Sequence, residues 1–97
     1  MGAMAFTELV KQVDLTKAMA ELNDDPDSSI YRANRVPVVI VEVATGCPLP
    51  VAAGIARKLL DTNDRRIASQ RGPVGAIRVE DRSKDLYGWI IVGWKPF

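Results

Sequence analysis

Residues 36–60 read VPVVIVEVATGCPLPVAAGIARKLL. Val36 to Ala44 is β-branched with Glu42 as its only charge, which predicts a strand. Val39, Val41 and Val43 fall on one face and Val38 and Ile40 on the other. Both faces are apolar, the pattern of a central strand covered on two sides. Pro37 lacks a ladder donor and belongs at the strand's first residues or on an unpaired side. Thr45 to Pro50 is a turn, in which Gly46 frees the backbone and Pro48 or Pro50 suits a first helical turn. The helix that follows puts Val51, Ala52, Ile55, Ala56, Leu59 and Leu60 on one side and Arg57, Lys58 and Asp61 on the other. Asp61 to Asp64 holds capping residues, which predicts a break there or a second short helix from Asp64 to Gln70, ending near Gly72-Pro73.

Upstream, Phe6, Leu9, Val10 and Val13 follow helical spacing, and Ala18, Met19 and Leu22 extend it, so a helix is expected over Phe6 to Leu22. Asp14 can restart it as an N-cap, with a kink at that point. Asn23 to Ser29 (NDDPDSS) ends the helix in a solvated acidic loop; it lacks the alternating ligands, glycine and closing glutamate of a calcium loop. Ile30 to Arg35 is polar and irregular. Met1-Gly2-Ala3-Met4 reads as a cloning scar ahead of a native Met4, leaving one domain over residues 5–97.

Downstream, Val74 to Glu80 alternates, with Ile77 and Val79 inward and Arg78 and Glu80 outward. Asp81 to Asp85 is a polar loop, and Leu86 to Trp94 returns as the last strand of a hairpin. That strand has no polar face: Leu86, Ile90, Val92 and Trp94 line one side, and Tyr87, Trp89 and Ile91 the other. The expected fold is α+β, a three-stranded sheet under helices in the order α-β-α-β-β.

Composition bounds the function. Thirteen basic and 12 acidic residues leave a net charge of +1, so bulk electrostatics selects no partner class. One cysteine and no histidine exclude an intrachain disulfide framework, histidine acid–base chemistry and ordinary zinc sites. No cofactor or metal is implied. The longest apolar run, about ten residues, is half what a membrane span needs, and no signal-peptide pattern is visible, so a cytoplasmic protein off the membrane is expected. No phosphate-cradling glycine loop and no paired nucleophile and base occur, so an active site is not expected.

Three constellations remain. Cys47 stands where a strand hands over to a helix, a position that favours a thiolate; the plainer account is a small buried cysteine. Cys47-Pro48-Leu49-Pro50 resembles the CPxP motif of the TusA-like (SirA-like) sulfur-carrier family, and the likeness runs through Val51 and Arg57-Lys58 to Leu59-Leu60, about fifteen residues. The resemblance implies a persulfide-bearing role for Cys47 and a turn-shaping role for Pro48 and Pro50. The chain departs from that family in its leading helix and in having only Asp61 to Gly72 between the motif helix and the hairpin.

The second constellation is Arg57, Lys58, Arg65, Arg66 and Arg71, which can track phosphates at helical spacing or form a solvated face. The third is Tyr87, Trp89 and Trp94, strand aromatics that can stack bases, anchor a protein partner or simply pack the core; Tyr87 and Trp89 share one strand face with Ile91. Helices of this length are stretched to seal both sheet faces, so this face is expected to dock a protein partner or a second copy. Together these features predict a small non-catalytic binding protein (adaptor, regulator or inhibitor), of a size compatible with phage or mobile-element accessory proteins. A sulfur carrier and a nucleic-acid-binding module are the alternatives.

Overall fold

The computed structural model describes residues 3–28, 37–68 and 72–96. The elements run β1 (Ala3–Val10), α1 (Leu15–Asp24), β2 (Val38–Ile40), α2 (Leu49–Asp61), β3 (Val74–Asp81), a single 3-10 turn (Arg82–Lys84) and β4 (Leu86–Pro96). The class is α+β, but the sheet has four strands, in the order β1-β4-β3-β2. Val36, the segment from Ile30 to Arg35, Gln70 and Arg71 lie outside the described residues.

The first correction is at the amino end. Residues Ala3–Val10 form a strand, not the front of a helix. Phe6 and Val10, four apart, fit either period, because four residues return to one face of a strand and also make one helical turn. The tie is broken by β4, whose backbone N–H and C=O groups on the side away from β3 take β1 as their ladder partner. β1 pairs antiparallel with β4 from Ala3↔Pro96 to Val10↔Trp89, so the ladder takes in Ala3 and Met4. The restart at Asp14 is real: its carboxylate accepts from the Lys17 amide at 3.2 Å and caps α1.

The second correction is β2. Its three residues pair parallel with β3 at the outer edge of the sheet, where a central strand over Val36 to Ala44 was expected. After the Val41 amide donates to the Ala76 carbonyl, the chain leaves the ladder and returns only at Cys47, which bridges Val79. Val41 and Val43 still turn inward and pack on the α2 side of the core. Their apolar pattern records burial, not ladder length. Pro37 sits just before the strand, and its carbonyl accepts from the Val74 amide.

Two helices suffice to cover both faces. On one, α1 packs Ala18, Met19 and Leu22 over Phe6, Val10, Val74, Ala76, Trp89 and Ile91. On the other, α2 packs Ala52, Ala56 and Leu59 over Ile77, Val79, Leu86, Ile90 and Val92. Alanines at 18, 52 and 56 are fully buried, which lets each helix approach the sheet closely. Ile67, in the turns after α2, is buried as well and closes the end of that layer. No helix forms from Asp64 onward in the described residues. Asn63 takes a left-handed backbone (φ 49°) that ends α2, a conformation asparagine tolerates better than most residues.

Candidate functional site

Cys47 lies one residue before the Pro48 that caps α2, and its backbone is held in the sheet: its amide donates to the Arg78 carbonyl and its carbonyl accepts from the Glu80 amide. The side chain is 6 % exposed. Its Sγ donates to the Arg78 carbonyl at 3.5 Å. Burial pushes the thiol's pKa up, with a smaller opposing pull from a backbone hydrogen bond. The thiolate is therefore disfavoured, the opposite of what helix-start placement alone implies. With iodoacetamide at pH 8, native Cys47 is expected to alkylate about tenfold or more slowly than in the urea-unfolded chain. Equal rates would mean an accessible thiol and return the carrier chemistry to Cys47.

The α2 N-terminus is occupied by a group the sequence reading missed. Asp81, at the end of β3, is 4 % exposed. Its Oδ2 accepts from the Leu49 amide at 3.0 Å and its Oδ1 from the Ser83 hydroxyl at 2.6 Å. Pro48 has no hydrogen-bonding side chain to cap the helix, so the Asp81 carboxylate, 32 residues beyond Leu49, does so. The sequence signal was available: Asp-x-Ser opens the turn between two apolar strands. The Ser83 hydrogen bond first, and then the Leu49 amide, hold the Asp81 carboxyl below the usual range.

The sign follows from that direction. A carboxylate with a depressed folded pKa adds stability above its unfolded value, about 3.9, and the contribution is lost as pH falls through the folded value. Asp81→Asn is expected to lower Tm at pH 7 by about 5 °C. Thermal melts should bring variant and parent together well below pH 4. A gap unchanged in acid would mean that shape, not charge, holds the helix start.

Arg57 borders a groove beside Asp61. Arg66 is committed to Asp64, donating through Nε at 3.0 Å and through a second guanidinium nitrogen at 3.0 Å. That pairing lowers the Asp64 pKa to about 2. Lys58 and Arg65 are exposed, and Arg71 lies outside the described residues.

The aromatic strand face is corrected most. Ile91 is fully buried, and Trp89, 9 % exposed, lies beneath α1 with its indole N–H donating to the Val13 carbonyl at 2.9 Å. Neither is a surface anchor. α1 and the loop that carries Val13 cover this face, where the sequence pattern alone predicts one helix from Phe6 to Leu22. Of the three, only Tyr87 reaches solvent, above a small hollow next to the Arg78–Glu80 ion pair.

Other exposed large apolar side chains stand in the loop after β1 at Val13, on β2 at Ile40, on α2 at Val51, and on β1. Met4 and Leu9, on the outer strand β1, are 44 % and 42 % exposed. Leu9 flanks a groove of about 310 Å³ between β1 and α2, whose far wall is Ala53, Arg57 and Leu60. No helix among the described residues is long and apolar enough to cross a membrane, and no cluster of metal-ligating side chains occurs among them. Comparison of the chain with protein-family models, characterised proteins and solved structures returns no match.

Proposed function

We propose that this chain is a small non-catalytic binding domain, acting by protein–protein contact, and that its working surface is the outer edge of β1 with the adjoining α2 groove. One observation carries the reading. Among the described residues, β1 is an eight-residue edge strand with one acid, no proline and two exposed large apolar side chains. An outer strand leaves alternate backbone N–H and C=O groups without a ladder partner on one side, so it accepts an added strand, with side-chain pockets supplying selectivity. The groove beside Leu9 is such a pocket, apolar on its floor at Ile90 and carrying Arg57 and Asp61 on its rim.

The test is titration of isotope-labelled protein with a synthetic peptide of residues 3–11, followed by amide chemical shifts. Movements are expected in β1 and in Ala53 to Asp61, and they should weaken in Leu9→Lys. A protein that is monomeric and whose β1 resonances stay still with excess peptide would sink the proposal. The carrier alternative rests on the alkylation result at Cys47. The nucleic-acid alternative rests on a salt-sensitive gel shift through Arg57, Lys58, Arg65, Arg66 and Arg71.

A further inference from the structure

Between β2 and α2 the chain crosses the edge of β3 on few bonds. The Val41 amide donates to Ala76, the Cys47 amide donates to Arg78, and the Cys47 carbonyl accepts from Glu80. Between Val41 and Cys47, Glu42 to Gly46 make no backbone hydrogen bond to the sheet among the described residues. Glu42, Ala44, Thr45 and Pro48 are exposed, while Val43 and Leu49 lean on the core beneath α2. Past Cys47, the Leu49 amide donates to the Asp81 carboxylate at 3.0 Å. The fastening of this stretch is therefore gathered at Cys47 and Leu49.

We infer that Glu42 to Leu49 is a strap that lifts off the β3 edge as one unit while the four-stranded sheet stays closed, with Asp81 as its latch. A stretch with few buried contacts and few ladder bonds opens at lower free energy than core strands do. One hinge is Val41, still paired with Ala76. The other is the first turn of α2, where Pro50 and Val51 are exposed ahead of the buried Ala52. Lifting also costs the latch little. The Asp81 carboxylate keeps the Ser83 hydroxyl at 2.6 Å, and the opened edge admits water to its other oxygen.

The strap covers the Cys47 thiol, the Arg78 carbonyl and the Glu80 amide, and lifting presents all three to solvent together. The chain thus has a state with the thiol covered and one with it offered, and the core need not unfold to pass between them. Seating the strap requires glycine at position 46. The Glu80 side chain, held by Arg78 at 2.9 Å, lies across Gly46, and a Cβ there would overlap its Cβ, Cγ and Cδ.

The test is iodoacetamide alkylation of native Cys47, followed from water to urea concentrations below the unfolding midpoint. Lifting the strap exposes little surface, so the rate is expected to stay within about twofold over that range. Gly88→Ala, which pries the end of β1 from β4, should lower the midpoint and leave the alkylation rate unchanged. Asp81→Asn should raise the rate about fivefold, and Gly46→Ala should raise it without touching the latch. Hydrogen exchange in the parent serves where a variant does not fold. The Cys47, Leu49 and Glu80 amides should share one protection factor, about tenfold or more below that of Ile91. A rate that climbs with urea in parallel with unfolding, or that rises in Gly88→Ala, overturns the strap, because the thiol then opens only with the whole domain. Protection at Cys47 and Leu49 equal to that at Ile91 overturns it as well. A rate indifferent to Asp81→Asn overturns the latch.

Discussion

Trp89→Asp is expected to leave a chain that does not fold stably at room temperature. Trp89 is 9 % exposed, packed with Val10, Met19 and Ile91 beneath α1. Truncating a buried tryptophan costs about 3–5 kcal/mol, and the new carboxylate adds the cost of an unpaired buried polar group, about 1–3 kcal/mol. A domain of this size has about 5–15 kcal/mol in total, so the variant falls at or below the threshold. The indole N–H is a separate element. Trp89→Phe keeps most of the packing but leaves the Val13 carbonyl without its donor, at about 1–2 kcal/mol. Urea denaturation followed by circular dichroism ranks the three proteins. If Trp89→Asp melts like the parent and only loses association, Trp89 is a surface anchor and the placement of α1 over it is wrong.

Gly88→Ala is expected to lower stability by about 3 kcal/mol, and Gly88→Val by more. A Cβ at Gly88 would overlap the Val10 carbonyl oxygen, with the Lys11 backbone 3.1 Å behind it. Backbone atoms cannot rotate away as a side chain can, so relief requires the end of β1 to lift from β4. The loss should be local before it is global. Hydrogen exchange is expected to quicken first in Leu9, Val10 and the Val13 loop, while β3 stays protected. Because the proposed binding edge is β1 itself, the same substitution should weaken association. Gly54 is the control, since a Cβ there meets nothing within 4 Å; Gly54→Ala, in the middle of α2, is expected to stabilise by about 1 kcal/mol. Equal melting of Gly88→Ala and the parent would mean that β1 does not cross β4 as described.

These two results bear on function through one chain of contacts. Trp89 holds the Val13 carbonyl, that loop joins β1 to α1, and Gly88 allows the end of β1 to close on β4. The edge offered to a partner is therefore only as rigid as the strand's last two residues. A binding strand that frays would forfeit pre-organisation, and with it affinity.

Several elements follow from local sequence alone. α2 and the β3–β4 hairpin lie where the periodicity places them, because thirteen residues with apolar positions on one side and two alternating runs around a polar loop each satisfy their backbone locally. Asp14 marks a helix start for the same reason. The alternation that separates Leu86, Ile90 and Val92 from Trp89 and Ile91 is also local. What covers each face is not. Only the tertiary structure decides that Phe6 to Val10 is a strand, since its four-residue spacing serves both periods and the free side of β4 settles the choice. Only the fold turns the apolar segment after Pro37 into a three-residue edge strand, because Val41 and Val43 can be buried without laddering. The site depends on the same kind of long-range contact. Cys47 begins a helix in sequence, yet its thiol faces the Arg78 carbonyl and the helix's first free amide goes to Asp81. A side chain's burial and hydrogen-bond partner come from residues distant in the chain, and no window of local sequence contains them.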